Sequence, residues 1–141
     1  MIVLDTNVIS ELWRVPPDPN VLAWVDAQVV ETLYLSAVTV AELRFGLASM
    51  PAGKRRTIFE DRLENEVLPA FTGRVLAFDL DASRAYADLM VRAKAAGRPI
   101  GLADGYIAAT AAARSLMVAT RDVTPFDAAG VRTINPWVVA S

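Results

Sequence analysis

Histidine and cysteine are both absent from this sequence of 141 residues. The first absence excludes imidazole acid–base catalysis, Ser-His-Asp triads and every imidazole metal site. The second excludes disulfides, thiolate zinc and a cysteine nucleophile, and leaves the redox compartment unreadable from thiols. A strong charge of one sign is also lacking: 14 basic and 16 acidic residues give a net charge of −2, and the pI is about 5.1. Proteins that grip nucleic acid by broad phosphate neutralisation are usually basic, so the overall charge does not advertise such binding, although a local patch stays open. No uncharged apolar run approaches the roughly 20 residues that span a bilayer. Met1-Ile2-Val3-Leu4-Asp5 has no basic region ahead of its first acid, unlike a secretory signal. No membrane role and a cytoplasmic location are the expectations.

What is present is apolar. Hydrophobic residues make up 54% of the chain and charged residues 21%, enough for a large core and too apolar for disorder. The length predicts one domain, residues 1–141, that folds without a staple. Site chemistry must come from carboxylates, hydroxyls, amides, Lys and Arg, and any bound metal is expected to be a hard cation with oxygen ligands.

Short apolar runs alternate with helical patterns. Ile2-Val3-Leu4 reads as a strand, and Val8, Ile9, Leu12 and Trp13 recur at helical spacing behind the cap formers Asp5, Thr6 and Asn7. Val15-Pro16-Pro17-Asp18-Pro19 breaks that helix, and Val21 to Val29 predicts a second. Thr32 to Leu35 is a strand, and Ser36 caps a helix to about Ser49. Pro51 opens a helix closed by Pro69, and Arg74 to Phe78 is a strand. Asp79 to Ala96 is an Ala-rich helix stopped by Gly97, and Leu102 to Arg114 is a nearly all-apolar, buried helix. Leu116 to Ala119 and Val131 to Ile134 complete the strands. This predicts an α/β fold with a mostly parallel sheet.

Four carboxylates need explaining. Asp5 follows the first strand, where ligands gather in open α/β sheets, or it simply caps the next helix. Glu42 lies inside the third helix: a site residue, a solvated helix-face acid, or the partner of Thr39 in a capping box. Asp104 is the only charge between Arg98 and Arg114. An isolated ionised carboxylate in apolar surroundings is costly unless paired, hydrogen-bonded or metal-bound, and a helix start is the other home for it. Asp122 follows the strand Leu116–Ala119 through Thr120-Arg121, as a site residue or as an Asx-turn. Asn7, Thr120 and Asp127 are candidate polar supports, and equally ordinary turn or cap residues. If the four acids converge, they repel one another, and a divalent cation such as Mg²⁺ or Mn²⁺ resolves the conflict.

Asp5-Thr6-Asn7 after an N-terminal strand, Glu42 in a helix headed by Ser36 and Thr39, the Leu102-Ala103-Asp104 helix start, and Thr120-x-Asp122 with Phe126 beyond together resemble the PIN domain. The likeness is nearest to bacterial VapC-type toxins, including the FitB-like subgroup, and covers essentially the whole chain. The resemblance implies a three-layer α/β/α sandwich and an Mg²⁺- or Mn²⁺-dependent ribonuclease. It places Asp5, Glu42, Asp104 and Asp122 in the acidic metal and catalytic site and Thr120 as a hydroxyl beside it. It also implies a homodimer held by a cognate antitoxin whose N-terminal part, not the toxin, binds operator DNA.

A mean hydropathy of +0.34 agrees with an association surface. Trp13 and Trp24 are candidates for it, with core packing as the alternative. Lys54-Arg55-Arg56 is the one consecutive basic run and reads as a solvated helix face, with Arg56 paired to Glu60. Arg98 and Arg121 flank proposed ligands and could hold RNA phosphates. Two alternatives stand beside the ribonuclease. One is a non-catalytic PIN-like partner that assembles with an antitoxin on DNA. The other is an aspartate-nucleophile phosphatase, disfavoured by Asn7 and by lysines only at 54 and 94.

Overall fold

A computed structural model describes residues 1–139. Five strands form one sheet: β1 (Ile2–Leu4), β2 (Leu33–Ser36), β3 (Val75–Leu76), β4 (Met117–Ala119) and β5 (Thr133–Ile134). The order is β3-β2-β1-β4-β5 and every pairing is parallel. The chain builds outward from β1 to β3, then returns to the other side of β1 with β4. The gap between the C-terminal ends of β1 and β4 is therefore the point where the winding reverses, and a crevice opens there.

Strand side chains alternate between two cores, as sheets covered on both faces require. Leu4, Leu33, Leu35 and Ala119 face one side, against α1 (Thr6–Leu12), α2 (Pro19–Asp26), α3 (Ala37–Ala48) and α4 (Lys54–Arg62). Val3 and Val118 face the other, against α6 (Leu80–Ala95), α7 (Leu102–Ala112) and α8 (Val123–Ala128). Between these, α4 runs through a π-helical stretch, Leu63–Val67, into a last turn, α5 (Leu68–Ala70). The expected three-layer α/β/α sandwich is what forms. Among the described residues no helix is long and apolar enough to cross a membrane.

Two local expectations need correction, and one helix was not foreseen. The second helix ends at Asp26 and not near Val29, because Gln28 N–H bonds Val25 O in a tightened turn and Gln28 Nε2 takes Trp24 O. The strand expected over 74–78 pairs only at Val75–Leu76. Ala77 O accepts from Arg114 and Phe78 turns into an aromatic cluster with Tyr86 and Tyr106. The helix α8 was not legible: at six residues, with a single fully buried anchor, Phe126, it is too short to show a period.

Candidate active site

Asp5 is the first residue after β1 and caps α1, its Oδ1 accepting from Thr6 N–H at 2.8 Å. Its N–H donates to Ala119 O at 2.9 Å, locking the ends of β1 and β4 together. The next residue of β4's path, Thr120, is fully buried and works as a hub. Its hydroxyl donates to Asp5 Oδ2 at 2.8 Å and accepts from Asp122 N–H at 3.1 Å and Asn7 Nδ2 at 3.3 Å. Both of Asp5's carboxylate oxygens are thus fixed, one by the backbone amide that opens α1 and the other by the Thr120 hydroxyl.

Glu42 approaches from α3. Ser36 caps that helix through Thr39 N–H at 3.0 Å, which leaves Glu42 outside any capping box. Its Oε1 instead accepts from Thr6 Oγ1 at 2.6 Å, and Thr6 Oγ1 lies 3.4 Å from Thr39 Oγ1. Asp104 sits in the first turn of α7, whose cap is Gly101 with no side-chain bond. That turn lies close on α6, because a Cβ on Gly105 would come within 2.9 Å of Met90 Sδ and 3.2 Å of Tyr86 Cε2. Asp122 stands at the cap position of α8 and makes no side-chain cap bond, so the Asx-turn reading does not hold; Thr120 does that work.

Asp5, Glu42 and Asp104 line one cleft of about 490 Å³, together with Thr6, Asn7 and Arg121. Asp122 does not line it; the side chain is exposed, near enough for its charge to act on Asp104. Burial pushes the Asp5 carboxyl up to about 6 from an ordinary 3.8; the bonds from Thr120 and Thr6 oppose this, and the charges of Asp104 and Glu42 add to it. Asp104 is also raised, by burial first and then by Asp122 and Glu42. These shifts mark carboxylates held out of water, with their mutual repulsion adding a smaller part.

The remaining candidates divide. Asn7 bridges Thr120 and, through Oδ1, Arg121 N–H at 3.5 Å. Arg121 lines the cleft with its guanidinium carbon 5.5 Å from the Trp137 ring centre. Arg98 does not line it; its N–H closes the end of α6 on Ala93 O. Asp127 accepts from Thr133 away from the cleft. Sequence reasoning missed Thr6 and Glu11. Nothing local signals that Thr6 has a partner 36 residues away. Glu11 is buried in the cleft wall, accepting from Asp18 N–H at 3.0 Å, and its signal was a charge inside the apolar stripe of Val8, Ile9 and Leu12.

The donors facing the cleft are oxygen atoms alone, which suits a hard cation. Among the described residues, no group of three or more acidic side chains is placed to hold a metal ion together. The set fits an ion that keeps several of its own waters, as Mg²⁺ does.

The sequence pattern of the PIN domain matches residues 2–131. This chain belongs to the PIN-domain family. The PIN domain described here is 75% identical over 137 residues to VapC ribonuclease Y4jK of Sinorhizobium fredii, across 97% of this chain and 98% of that protein. It is 52% identical over 137 residues to toxin FitB of Neisseria gonorrhoeae, across 97% of this chain and 99% of that protein. Its fold matches the structure of FitAB bound to an IR36 DNA fragment with a TM-score of 0.97 at 48% identity, covering 100% of this chain and 99% of that one.

Proposed function

We propose that this PIN domain, residues 1–141 acting as one unit, is the ribonuclease toxin of a toxin–antitoxin pair. It hydrolyses RNA phosphodiester bonds with a divalent cation, Mg²⁺ or Mn²⁺, held by Asp5, Glu42, Asp104 and Asp122. The observation that carries this reading is the convergence of Asp5, Glu42 and Asp104 on one cleft in a chain 75% identical to a VapC ribonuclease. The cation supplies charge neutralisation at the phosphodiester and a more acidic water.

The chain's own residues do the rest. Thr120 and the Thr6 amide hold Asp5 in one orientation. Thr6 Oγ1 occupies Glu42 Oε1, so Oε2 is the oxygen left to orient a water and take its proton. Arg121, steadied on Trp137, meets the phosphate that the carboxylates would otherwise repel. The water oxygen bonds to phosphorus as the bond to the 3′ oxygen breaks, and that oxygen takes a proton from solvent, leaving a 5′-phosphate and a 3′-hydroxyl. Arg98, outside the cleft, reaches only a more distant phosphate. Similarity to FitB and to the FitAB complex on DNA supports a cognate antitoxin as partner. Operator DNA bound only through that antitoxin, a homodimeric toxin and a cytoplasmic location belong to the same proposal.

Incubating the antitoxin-free chain with total bacterial RNA and Mg²⁺ or Mn²⁺, then mapping new 5′ ends, tests the reading. Discrete ends that vanish with a chelator and in Asp104→Asn are expected. Ends that persist in both would refute the metal-dependent site.

A further inference from the structure

We propose that a groove running from the cleft along α1 and α4 is a track for the single-stranded RNA that flanks the cleaved bond. In it, bases stack at the Trp13–Phe59 pair and phosphates meet Lys54, Arg55 and Arg62. The proposal rests on the ribonuclease reading above.

Continuity is the first argument. The cleft shares Thr6, Ser10, Arg14 and Glu42 with a neighbouring depression of about 220 Å³. That depression shares Trp13, Arg55 and Phe59 with a third, of about 620 Å³, which ends at Lys54 and Arg62. A strand whose phosphodiester sits in the cleft has this path open to it in one direction.

The chemistry of the path is the second. Trp13 and Phe59 stack at 5.6 Å between ring centres and 22° between planes. The guanidinium carbons of Arg55 and Arg62 lie 5.6 and 5.7 Å from the Phe59 centre. Aromatic rings interleaved with guanidinium groups are the usual platform for unpaired bases, each stacked base contributing about 1–3 kcal/mol regardless of its identity.

Charge is the third. Lys54, Arg55 and Arg62 pair with no carboxylate among the described residues, and no carboxylate lines the depression they border. Three uncompensated cations gathered beside one aromatic pair, in a chain of net charge −2, complement a polyanion. The apolar rim, with Val15 at 97% and Ile58 at 43% exposure, could also receive a protein helix. The unpaired cations and the direct junction with the phosphodiester cleft favour RNA.

The test uses a fluorescent single-stranded RNA of about 12 nucleotides, long enough to leave the cleft. Binding to the full chain is followed by anisotropy across a salt series, with metal withheld so that no cleavage occurs. The double variant Arg55→Glu, Arg62→Glu should bind at least about tenfold more weakly and show a shallower salt dependence, by roughly 0.7 in log–log slope for each lost phosphate contact. Arg44→Glu, on a pair outside the groove, should bind as the parent does. Independently of any variant, 5-iodouridine placed along the RNA should photo-crosslink to Trp13 or Phe59.

Parental affinity in the double variant, or crosslinks confined to the cleft, overturns the track while leaving the ribonuclease reading intact. So does a variant that loses a co-expressed antitoxin yet keeps RNA, since the groove then belongs to a protein. A parent chain that neither binds nor cuts RNA overturns both.

Discussion

Asp5 is held in two opposed ways. The Thr6 amide and the Thr120 hydroxyl favour its ionised form, and burial beside Asp104 and Glu42 outweighs them, so it titrates near 6 and not at 3.8. Between those values the folded chain keeps a proton that the unfolded chain has lost. Asp5's contribution to stability is therefore full below pH 3.8 and is lost as pH rises through about 6. A shift of about two units amounts to about 3 kcal/mol. Asp104 is shifted in the same direction, so Asp104→Asn removes a like charge from the cleft. In chelator the variant should melt several degrees above the parent at neutral pH, and the advantage should shrink toward pH 4. An equal or lower melting temperature at neutral pH would show that the carboxylates are not in conflict.

At the scale of elements, the site depends on how each helix begins. Ser36 Oγ accepts from Thr39 N–H at 3.0 Å and lies 3.2 Å from Thr39 Oγ1, both groups being fully buried. Thr39 in turn borders Thr6, which holds Glu42. Ser36→Ala removes the cap of α3 and leaves buried groups without partners, and should lower stability by about 1–2 kcal/mol in a denaturant titration. It also loosens the chain of hydroxyls behind Glu42. If Glu42 works in the chemical step, kcat should fall by more than KM rises. The helix α7 makes a similar point through Gly105: the missing side chain lets its first turn approach Met90 and Tyr86, and Asp104 belongs to that turn.

For the molecule as a whole, the two cores and the cleft oppose one another. The cores hold β1 and β4 together from both faces, and that closeness crowds acids at their ends. A ligand that binds only the folded state stabilises it, by about 2.7 kcal/mol at a hundred times its dissociation constant. Mg²⁺ or Mn²⁺ should therefore raise the melting temperature in a concentration-dependent way. It should also flatten the dependence of stability on pH above about 5, since a bound cation favours ionised carboxylates. Thermal melts in chelator and in each metal check both effects. A melting temperature indifferent to either ion would remove the cation from the cleft.

Much of this protein was determined by the sequence alone. The apolar runs at Ile2–Leu4 and Leu116–Ala119, the caps at Asp5, Ser36 and Asp79, and the uncharged helix around Asp104 specify parallel strands between helices. The absence of His and Cys left only oxygen donors for the site. Such features are local: period, capping and composition act within a few residues and are visible along the chain. Only the tertiary structure decided that Asp5 meets Thr120 across 115 residues, that Thr6 holds Glu42, and that Arg98 stays out of the cleft. It also decided that Trp13 stacks on Phe59 beside unpaired cations. Those relations depend on strand order, register and helix packing, which bring distant residues together through the burial of the whole core and leave no trace in any local pattern.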